Sequence, residues 1–233
     1  MLKVSDVHAG YAGSEVLFGV SLEVADGEGV VVLGPNGHGK TTLLRVISGL
    51  MRPTTGTVEF DGAVISEWRP DQIAGAGIVH IPQGDMLFPE MTVYENLGMG
   101  AYVKSAWRER ASKLKQVEEL FPWLSERKDQ LARTLSGGER RMLALARGLM
   151  GRARMLLIDE PSLGLAPRIT EEIYEAIRLI KETGLAILLV DENANHIAGL
   201  ADRVYLLESG EFVRQGPADR LLADEALLAA YLG

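Results

Sequence analysis

Short apolar runs alternate with amphipathic stretches along this chain of 233 residues. The runs at 30–33 and 155–158 contain no polar residue, which is typical of parallel strands buried on both faces. Strands that alternate with helices predict an α/β fold with a mostly parallel sheet covered on both sides. We expect strands at residues 2–8, 16–24, 29–33, 57–60, 63–65, 78–81, 155–158, 185–190, 204–207 and 211–215.

The segment from about residue 92 to residue 150 has a helical pattern instead. One predicted buried helix face has apolar residues at three- and four-residue steps, namely Trp107, Ala111, Leu114, Val117 and Phe121. We interpret this segment as a helical insert within an α/β core. We expect further helices at residues 40–48, 167–183 and 193–200, and from Pro217 to the end of the chain.

Composition narrows the class of protein. Hydrophobic residues make up 47% of the chain, which allows a substantial core and excludes wholesale disorder. The sequence has no apolar run of bilayer length, and its first residues do not resemble a signal peptide. Cysteine is absent, which excludes disulfides and thiolate metal sites and fits the cytosol. A net charge of −8 without a dense basic run disfavours nucleic acid as a partner.

Residues 34–41 have the most specific chemical pattern. They read Gly-Pro-Asn-Gly-His-Gly-Lys-Thr, the G-x-x-x-x-G-K-T of a phosphate-binding loop (P-loop), between a predicted strand and a predicted helix. We expect backbone N–H groups and the positive helix N-terminus to hold phosphates, Lys40 to reach the β- and γ-phosphates, and Thr41 to ligate Mg²⁺. The predicted nucleotide-binding residues of this loop are Gly34, Pro35, Asn36, Gly37, His38, Gly39, Lys40, Thr41 and Thr42.

Two carboxylates, Asp159 and Glu160, follow the apolar run at 155–158. P-loop nucleotide hydrolases use the first acid to hold Mg²⁺, usually through water. An adjacent second acid can take a proton from the attacking water. Successive side chains along a strand point in different directions, which fits two roles. The plain alternative is an exposed strand end before a turn at Pro161.

The string Leu-Ser-Gly-Gly-Glu at residues 135–139 precedes a predicted helix at 140–150. Ser136 and Glu139 have the spacing of a capping box. Capping does not explain Gly137 and Gly138, because each glycine lowers helix propensity by about 1 kcal/mol. Bare backbone at a helix N-terminus suits contact with phosphate, so we interpret these residues as a second phosphate-facing surface.

The order of these motifs resembles the ATP-binding cassette (ABC) ATPases over nearly the whole chain, with Pro82-Gln83 as a further match. The resemblance implies an α/β P-loop NTPase core with a mostly parallel sheet, an N-terminal antiparallel β subdomain and a helical signature subdomain. We therefore expect one ABC ATPase domain over residues 1–233. Its helical subdomain would cover about 87–150, and its RecA-like core and β subdomain about 1–86 and 151–233.

The resemblance also implies a site shared by two ATPase subunits, arranged head to tail as a homodimer or heterodimer. Ser136, Gly137, Gly138 and Glu139 of one subunit would then act on ATP held by the P-loop of the other. Gln83 would sense Mg²⁺ and a membrane partner. Tyr11 matches the aromatic residue that stacks on adenine, although a tyrosine in a β-rich segment can also be a packing residue.

Three segments, at 92–97, 161–167 and 193–195, resemble the smaller ATPase of branched-chain amino acid importers. That resemblance implies ATP-driven uptake of branched-chain amino acids or similar small polar solutes. It also implies two integral membrane permease subunits, indirectly a solute-binding protein, and a peripheral position on the cytoplasmic face of the inner membrane. Urea or amide uptake and lipid or lipopolysaccharide export are the alternatives. A DNA-repair or ribosomal cassette would need a coiled-coil insert or fused cassettes, and a metabolite kinase would not need residues 135–139.

Three positions depart from the common family pattern. His38 replaces a residue that is more often small, and we expect it to face solvent without a catalytic role. Ala166 stands where many cassettes have aspartate. Glu192 stands where many have a histidine that contacts the γ-phosphate, and the similar importer ATPases tend to have glutamine there. His196, four residues on, is expected to be a packed or exposed helix residue rather than a substitute.

An ionised Glu192 would be repelled by a triphosphate, by about 1 kcal/mol for unit charges 4 Å apart in water and by more when buried. We therefore expect Glu192 to turn aside, to act through water or to be protonated. Glu160, rather than Glu192, is predicted to polarise the attacking water. Two alternatives remain: Glu192 faces solvent at a helix start, where a carboxylate is favourable, or a second ATPase of a heterodimer contributes the histidine.

Overall fold

A computed structural model describes residues 1–224. Within that range the strands are β1 (Leu2–Tyr11), β2 (Ser14–Val24), β3 (Gly29–Leu33), β4 (Thr55–Phe60), β5 (Ala63–Val64), β6 (Ile78–Ile81), β7 (Met155–Asp159), β8 (Ala186–Asp191), β9 (Arg203–Glu208) and β10 (Glu211–Pro217). The helices are α1 (Lys40–Ile47), α2 (Pro70–Ala76), α3 (Val93–Gly100), α4 (Lys104–Leu120), α5 (Trp123–Glu126), α6 (Gly137–Leu149), α7 (Pro167–Glu182) and α8 (Ala218–Leu222), with a 3-10 turn at Ala132–Thr134.

The strands form two sheets. The first has the order β2-β1-β4-β5 and is antiparallel. The second has the order β10-β9-β3-β8-β7-β6, in which every pairing is parallel except that of β9 with β10. The predicted α/β class, the mostly parallel sheet and the antiparallel N-terminal part are therefore confirmed.

The parallel sheet separates two hydrophobic cores. Successive side chains of a strand point to opposite faces, so β3 contributes Val30 and Val32 to one core and Val31 and Leu33 to the other. The first core also contains side chains of the antiparallel sheet and of α1. The second contains side chains of α3, α6 and α7. The middle strands are buried on both faces, as their unbroken apolar runs predicted.

The helical segment is present, but the burial of α4 differs from the prediction. Val117 and Phe121 are buried and Leu114 is half-buried. Trp107 and Ala111 are exposed, so the buried face predicted for the whole helix holds only for its C-terminal half. The Arg110 guanidinium lies over the Trp107 ring, 4.2 Å from its centre, and partly covers it.

The helix predicted at 193–200 is wrong, because this segment forms turns. Local side-chain hydrogen bonds compete with a helix there. The Asp191 carboxylate accepts the N–H groups of Glu192 and Asn193, and the Asn193 side chain accepts the N–H of Asn195. Gly199 has a positive φ of 75°, which also breaks a helix.

Two further differences from the prediction concern helices α2 and α8. Helix α2 was not predicted, and Ile73 is its one buried residue. The closing helix predicted from Pro217 begins as α8, and its part beyond residue 224 lies outside the described residues.

Across residues 1–224 we find no helix with the length and apolarity that a membrane span requires.

The contact between α3 and α6 gives a stability test. A Cβ at Gly100 would overlap the backbone carbonyl oxygen of Arg147 on α6, whereas a Cβ at Gly98 would have no atom within 4 Å. We expect Gly100→Ala to lower the free energy of unfolding by about 1–3 kcal/mol, measured by urea denaturation. The matched control Gly98→Ala should raise it by up to about 1 kcal/mol, because alanine favours a helix. Equal effects of the two substitutions would contradict the described packing.

Candidate functional site

The candidate site lies where three parallel strands end side by side. Leu33 at the end of β3 pairs with Asp191 at the end of β8, and Asp159 at the end of β7 pairs with Val190. Loops that follow neighbouring parallel strands meet at the same sheet edge, where α/β proteins bind ligands. The P-loop, the Asp159–Glu160 pair and the segment after Asp191 are therefore brought together.

The P-loop backbone turns tightly before α1. Gly37 and Gly39 have positive φ angles of 83° and 108°, and α1 begins at Lys40 directly after Gly39. A Cβ at Gly34 would overlap the carbonyl oxygen of Leu207 on β9, so only glycine fits there. The glycines thus allow the loop to lie against the sheet with the N-terminus of α1 directed at its mouth.

Lys40 is buried in this loop, with 2% of its surface exposed. Its Nζ lies 3.1 Å from Oε1 of Glu160, which is also buried. It donates hydrogen bonds to the carbonyl oxygens of Gly34 at 2.6 Å and Pro35 at 3.1 Å. A charge in the protein interior is costly unless it is paired. Glu160 and the loop carbonyls thus satisfy the lysine in the position that the motif assigns to a phosphate-binding group.

Asp159 and Thr41 form an oxygen-rich corner beside the lysine. Thr41 Oγ1 donates a hydrogen bond of 3.2 Å to Oδ1 of Asp159, and Oδ2 of Asp159 is buried without a partner. Burial raises the pKa of Asp159, the hydrogen bond from Thr41 opposes that shift, and Glu160 adds to it. An unpartnered carboxylate oxygen next to a hydroxyl fits a hard cation such as Mg²⁺, which prefers one or two protein oxygens together with phosphate and water.

Glu160 is held between two elements. Its Oε1 faces Lys40, and its Oε2 accepts a hydrogen bond of 3.0 Å from Nε2 of Gln83. Its backbone N–H donates to the carbonyl oxygen of Val190, and its φ is 41°, an uncommon angle for a residue other than glycine. The sequence placed Gln83 and Glu160 in separate motifs and gave no signal that their side chains meet.

Three arginines of α6 connect the Gln83 loop to the helical segment. Arg140 Nε donates to Asp85 Oδ2 at 2.7 Å, Arg147 Nη1 donates to the Met86 carbonyl at 2.9 Å, and Arg141 Nη1 donates to the Gly84 carbonyl. Sequence analysis missed these residues, because contacts between side chains and a distant loop leave no periodic pattern. Helix α6 is the helix that begins at Gly137, so a movement of the Gln83 loop would act directly on it.

Ser136 and Glu139 form the predicted capping box at the start of α6. Ser136 Oγ accepts the Glu139 N–H at 3.3 Å, and Glu139 Oε2 accepts the Ser136 N–H at 2.8 Å. Gly138 has a packing reason that the sequence did not reveal, since a Cβ there would overlap the Ile169 side chain of α7. Within the described range 1–224, no hydrogen bond or ion pair joins residues 136–139 to the P-loop.

Tyr11 lies beside the P-loop helix at the end of β1. Its hydroxyl accepts a hydrogen bond of 2.9 Å from Nη1 of Arg45 and lies 3.4 Å from Oγ1 of Thr42, while 42% of the residue is exposed. The ring is therefore held by its polar end and remains accessible. Stacking on adenine stays a prediction for this residue.

Glu192 is exposed and faces the P-loop. Its Oε2 accepts a hydrogen bond of 2.6 Å from Nδ2 of Asn36. The alternative that Glu192 faces solvent at a helix start holds for its exposure but is wrong for the helix, because no helix begins there. Whether Glu192 contacts phosphate stays a prediction.

The two histidines of this region are both packed. His38 is half-buried, and its Nδ1 accepts the N–H of Ser209 at 2.9 Å, so the expectation that it faces solvent holds only in part. The cause is the β9–β10 turn, which lies against the P-loop, and Gly210 N–H also donates to the His38 carbonyl. His196 is half-buried and stacks on Tyr174, with ring centres 5.3 Å apart.

Comparison of the sequence with known proteins shows which proteins this chain is similar to. A family model described as ABC transporter matches residues 17–163. The chain is 40% identical over 233 residues to the high-affinity branched-chain amino acid transport ATP-binding protein BraG of Pseudomonas aeruginosa, covering 100% of both chains. It is 37% identical to the probable branched-chain amino acid transport ATP-binding protein LivF of Archaeoglobus fulgidus, covering 97% of this chain and 95% of LivF. It is 33% identical to the lipopolysaccharide export system ATP-binding protein LptB of Haemophilus influenzae, covering 100% and 97%.

Solved structures of ATP-binding cassettes are also similar to this chain. The ADP conformation of MJ1267, an ATP-binding cassette of an ABC transporter, matches with a TM-score of 0.87 at 27% identity, covering 100% of this chain and 98% of MJ1267. A dimeric post-hydrolysis structure of the cassette MJ0796, bound to ADP and phosphate, matches with a TM-score of 0.77 at 27% identity, covering 94% and 99%.

Asp191 gives a pH test of this site. Burial raises its pKa to about 6, the N–H groups of Asn193 and Glu192 oppose that shift, Glu160 adds to it and Lys40 opposes it. The folded chain therefore retains a proton that the unfolded chain releases near pH 4, so ionisation of Asp191 costs stability as the pH rises from about 4 to about 6. The stability of Asp191→Asn relative to the natural chain should rise across that interval in urea denaturation. A difference that is constant or falls with pH would show that the carboxyl is not destabilised by burial.

Proposed function

The chain belongs to the ABC transporter family of ATPases, and we propose that it is the ATP-hydrolysing subunit of an importer for branched-chain amino acids or similar small polar solutes. The similarity to BraG and LivF over nearly whole chains supports this solute class. Similarity to LptB is lower, at 33% identity, and makes lipopolysaccharide export the alternative function. Urea or amide uptake is a second alternative within the importers.

The pairing of Lys40 with Glu160 is the observation that carries the proposed mechanism. We propose that the γ-phosphate of ATP takes over the Lys40 ammonium, because phosphate oxygens are charged acceptors in the place that Glu160 now occupies. The freed Glu160 carboxylate then polarises a water molecule, kept in place by the amide of Gln83. Water adds to the γ-phosphorus, the bond to the bridging oxygen breaks, and the proton of the water passes to Glu160.

Thr41 and Asp159 would hold Mg²⁺ in this proposal. Their oxygens are 3.2 Å apart and one Asp159 oxygen is free for a further ligand. Bound there, the ion would neutralise charge on the phosphates. Gln83 would sense the ion from the neighbouring loop.

A second ATPase subunit, identical or homologous, would complete each site. Residues 136–139 are not bonded to the P-loop of their own chain, and their helix N-terminus is suited to phosphate. We propose that they close on ATP held by the other subunit in a head-to-tail pair. A dimer of the similar cassette MJ0796 with ADP and phosphate supports this arrangement.

An apolar groove of about 720 Å³ is lined by residues of α2, β6, α3 and α6 and by Met86 and Phe88 of the loop that follows Gln83. Met86, Met99 and Tyr102 are exposed along it, at 67%, 42% and 59%. We propose that two permease subunits each dock a short segment here, which would place the chain on the cytoplasmic face of the membrane. A solute-binding protein would act indirectly, through the permeases.

The division of roles between Glu160 and Glu192 can be tested by single-turnover hydrolysis. Glu160→Gln should abolish hydrolysis while ATP binding is retained, because an amide cannot accept the proton of the water. Glu192→Gln is the matched control. Glu192 lies at the rim of the site, the exposed edge beside Asn36 of the P-loop, and its substitution should leave near-normal hydrolysis. If Glu160→Gln retains hydrolysis and Glu192→Gln abolishes it, the assignment is wrong.

Import can be tested in proteoliposomes that contain the chain together with its candidate permease subunits and a solute-binding protein. Radiolabelled leucine or isoleucine should accumulate only with ATP. Met99→Asp should abolish uptake but leave hydrolysis by the isolated chain unchanged, because it places a charge in the proposed groove. Leu179→Asp is the matched control, since Leu179 is 40% exposed on α7, outside the groove.

The alternatives give different results in the same system. Uptake of urea or short amides without leucine would move the function to the other importer class. Release of lipopolysaccharide by lipid-export partners would replace import altogether. Loss of uptake with Leu179→Asp but not with Met99→Asp would reject the groove as the docking surface.

A further inference from the structure

A line of hydrogen bonds connects the buried side of α7 to the P-loop lysine, and the mechanism above does not use it. The Tyr174 hydroxyl donates to Oδ2 of Asp191. Oδ1 of Asp191 accepts the N–H groups of Glu192 at 2.6 Å and Asn193 at 3.1 Å. One carboxylate therefore fixes both the direction of the chain after β8 and its attachment to α7.

The line continues through side chains into the P-loop. Glu192 Oε2 accepts a hydrogen bond of 2.6 Å from Nδ2 of Asn36. The other end of the same amide, Asn36 Oδ1, accepts from Lys40 Nζ at 3.4 Å. An ionised carboxylate can only accept hydrogen bonds, so its partner in the P-loop must be a donor. Asparagine provides that donor and still has an oxygen for the lysine.

Tyr174 is suited to be a fixed anchor for this line. It is 1% exposed within the core, and its ring stacks on His196 at an interplanar angle of 26°. Arg178, one helical turn later on α7, donates to the His196 carbonyl at 3.1 Å. Helix α7 thus holds the turns after β8 at two points, while Glu192 at the rim is exposed.

We propose that Tyr174 and Asp191 are positioning residues that hold Glu192 against Asn36, and that Glu192 acts on the P-loop amide rather than on phosphate. The amide in turn orients the Lys40 ammonium. This inference rests on the proposed role of Lys40 as the phosphate-binding group. It explains how a carboxylate is accommodated at a rim that receives a triphosphate, because its charge is directed at an amide donor of the loop.

A double-mutant cycle tests the proposal by single-turnover ATP hydrolysis and by ADP affinity of the full-length chain. Tyr174→Phe retains the ring and its stacking but removes the hydroxyl. It should lower the rate about 2- to 10-fold, the equivalent of one net hydrogen bond, with ADP affinity unchanged. Glu192→Ala should lower the rate similarly, and Glu192→Gln should restore most of it, because the amide oxygen still accepts from Asn36.

The decisive result is the combined variant. If Tyr174 acts through Glu192, adding Tyr174→Phe to Glu192→Ala should produce no further loss. Tyr205→Phe is the matched control, since Tyr205 is a buried tyrosine of β9 whose hydroxyl contacts Arg203 and the Glu23 N–H, and it should leave the rate unchanged.

Two outcomes would overturn the proposal: a full multiplicative loss in the combined variant, or an unchanged rate in Tyr174→Phe. Asn36→Ala gives an independent check. Asn36 is exposed, so its substitution leaves the core packing intact. In this background, Tyr174→Phe should have no further effect on the rate. The cycle measures hydrolysis and ADP affinity without a transported solute. Failure of the import proposal would therefore leave this cycle interpretable.

Discussion

The buried charge of Lys40 is the constraint on which the site depends. An ammonium group that is 2% exposed must be paired, and Glu160, 6% exposed at its side chain, pairs with it at 3.1 Å. That pairing requires the ends of β3 and β7 to lie at the same edge of one sheet. The parallel order of β3, β8 and β7 provides this, and the two apolar cores on either side of the sheet hold it in place.

Glu160 also accepts a hydrogen bond from Gln83, so Lys40 is connected through Glu160 to the Gln83 loop. In the proposed mechanism, a ligand that took Lys40 from Glu160 would change the environment of the Gln83 loop. The arginines of α6 bind that loop through Gly84, Asp85 and Met86. The loop in turn lines the exposed apolar groove. In the proposed transporter, these contacts would pass the state of the nucleotide to the permeases.

The sequence correctly predicted the features of the fold and site that depend on local residue patterns. The apolar runs located the parallel strands, and the P-loop and the Asp159–Glu160 pair were placed correctly at their ends. The turns at 193–200 were mistaken for a helix, because hydrogen bonds of Asp191 and Asn193 outweigh an apparently helical pattern. The face of α4 was misjudged at Trp107, which is exposed and whose ring lies beneath the Arg110 guanidinium. Contacts such as Tyr174 with Asp191 join distant residues and have no periodic signal.

The most direct test of this account is the affinity of the full-length chain for a non-hydrolysable ATP analogue, measured by calorimetry. If Lys40 is held by Glu160 until phosphate replaces it, Glu160→Gln should bind the analogue more tightly than the natural chain. Glu192→Gln removes an equal charge from the same site without touching the ion pair, so its gain in affinity should be smaller. Equal gains would show that only net charge matters, and weaker binding by Glu160→Gln would contradict the exchange of partners at Lys40.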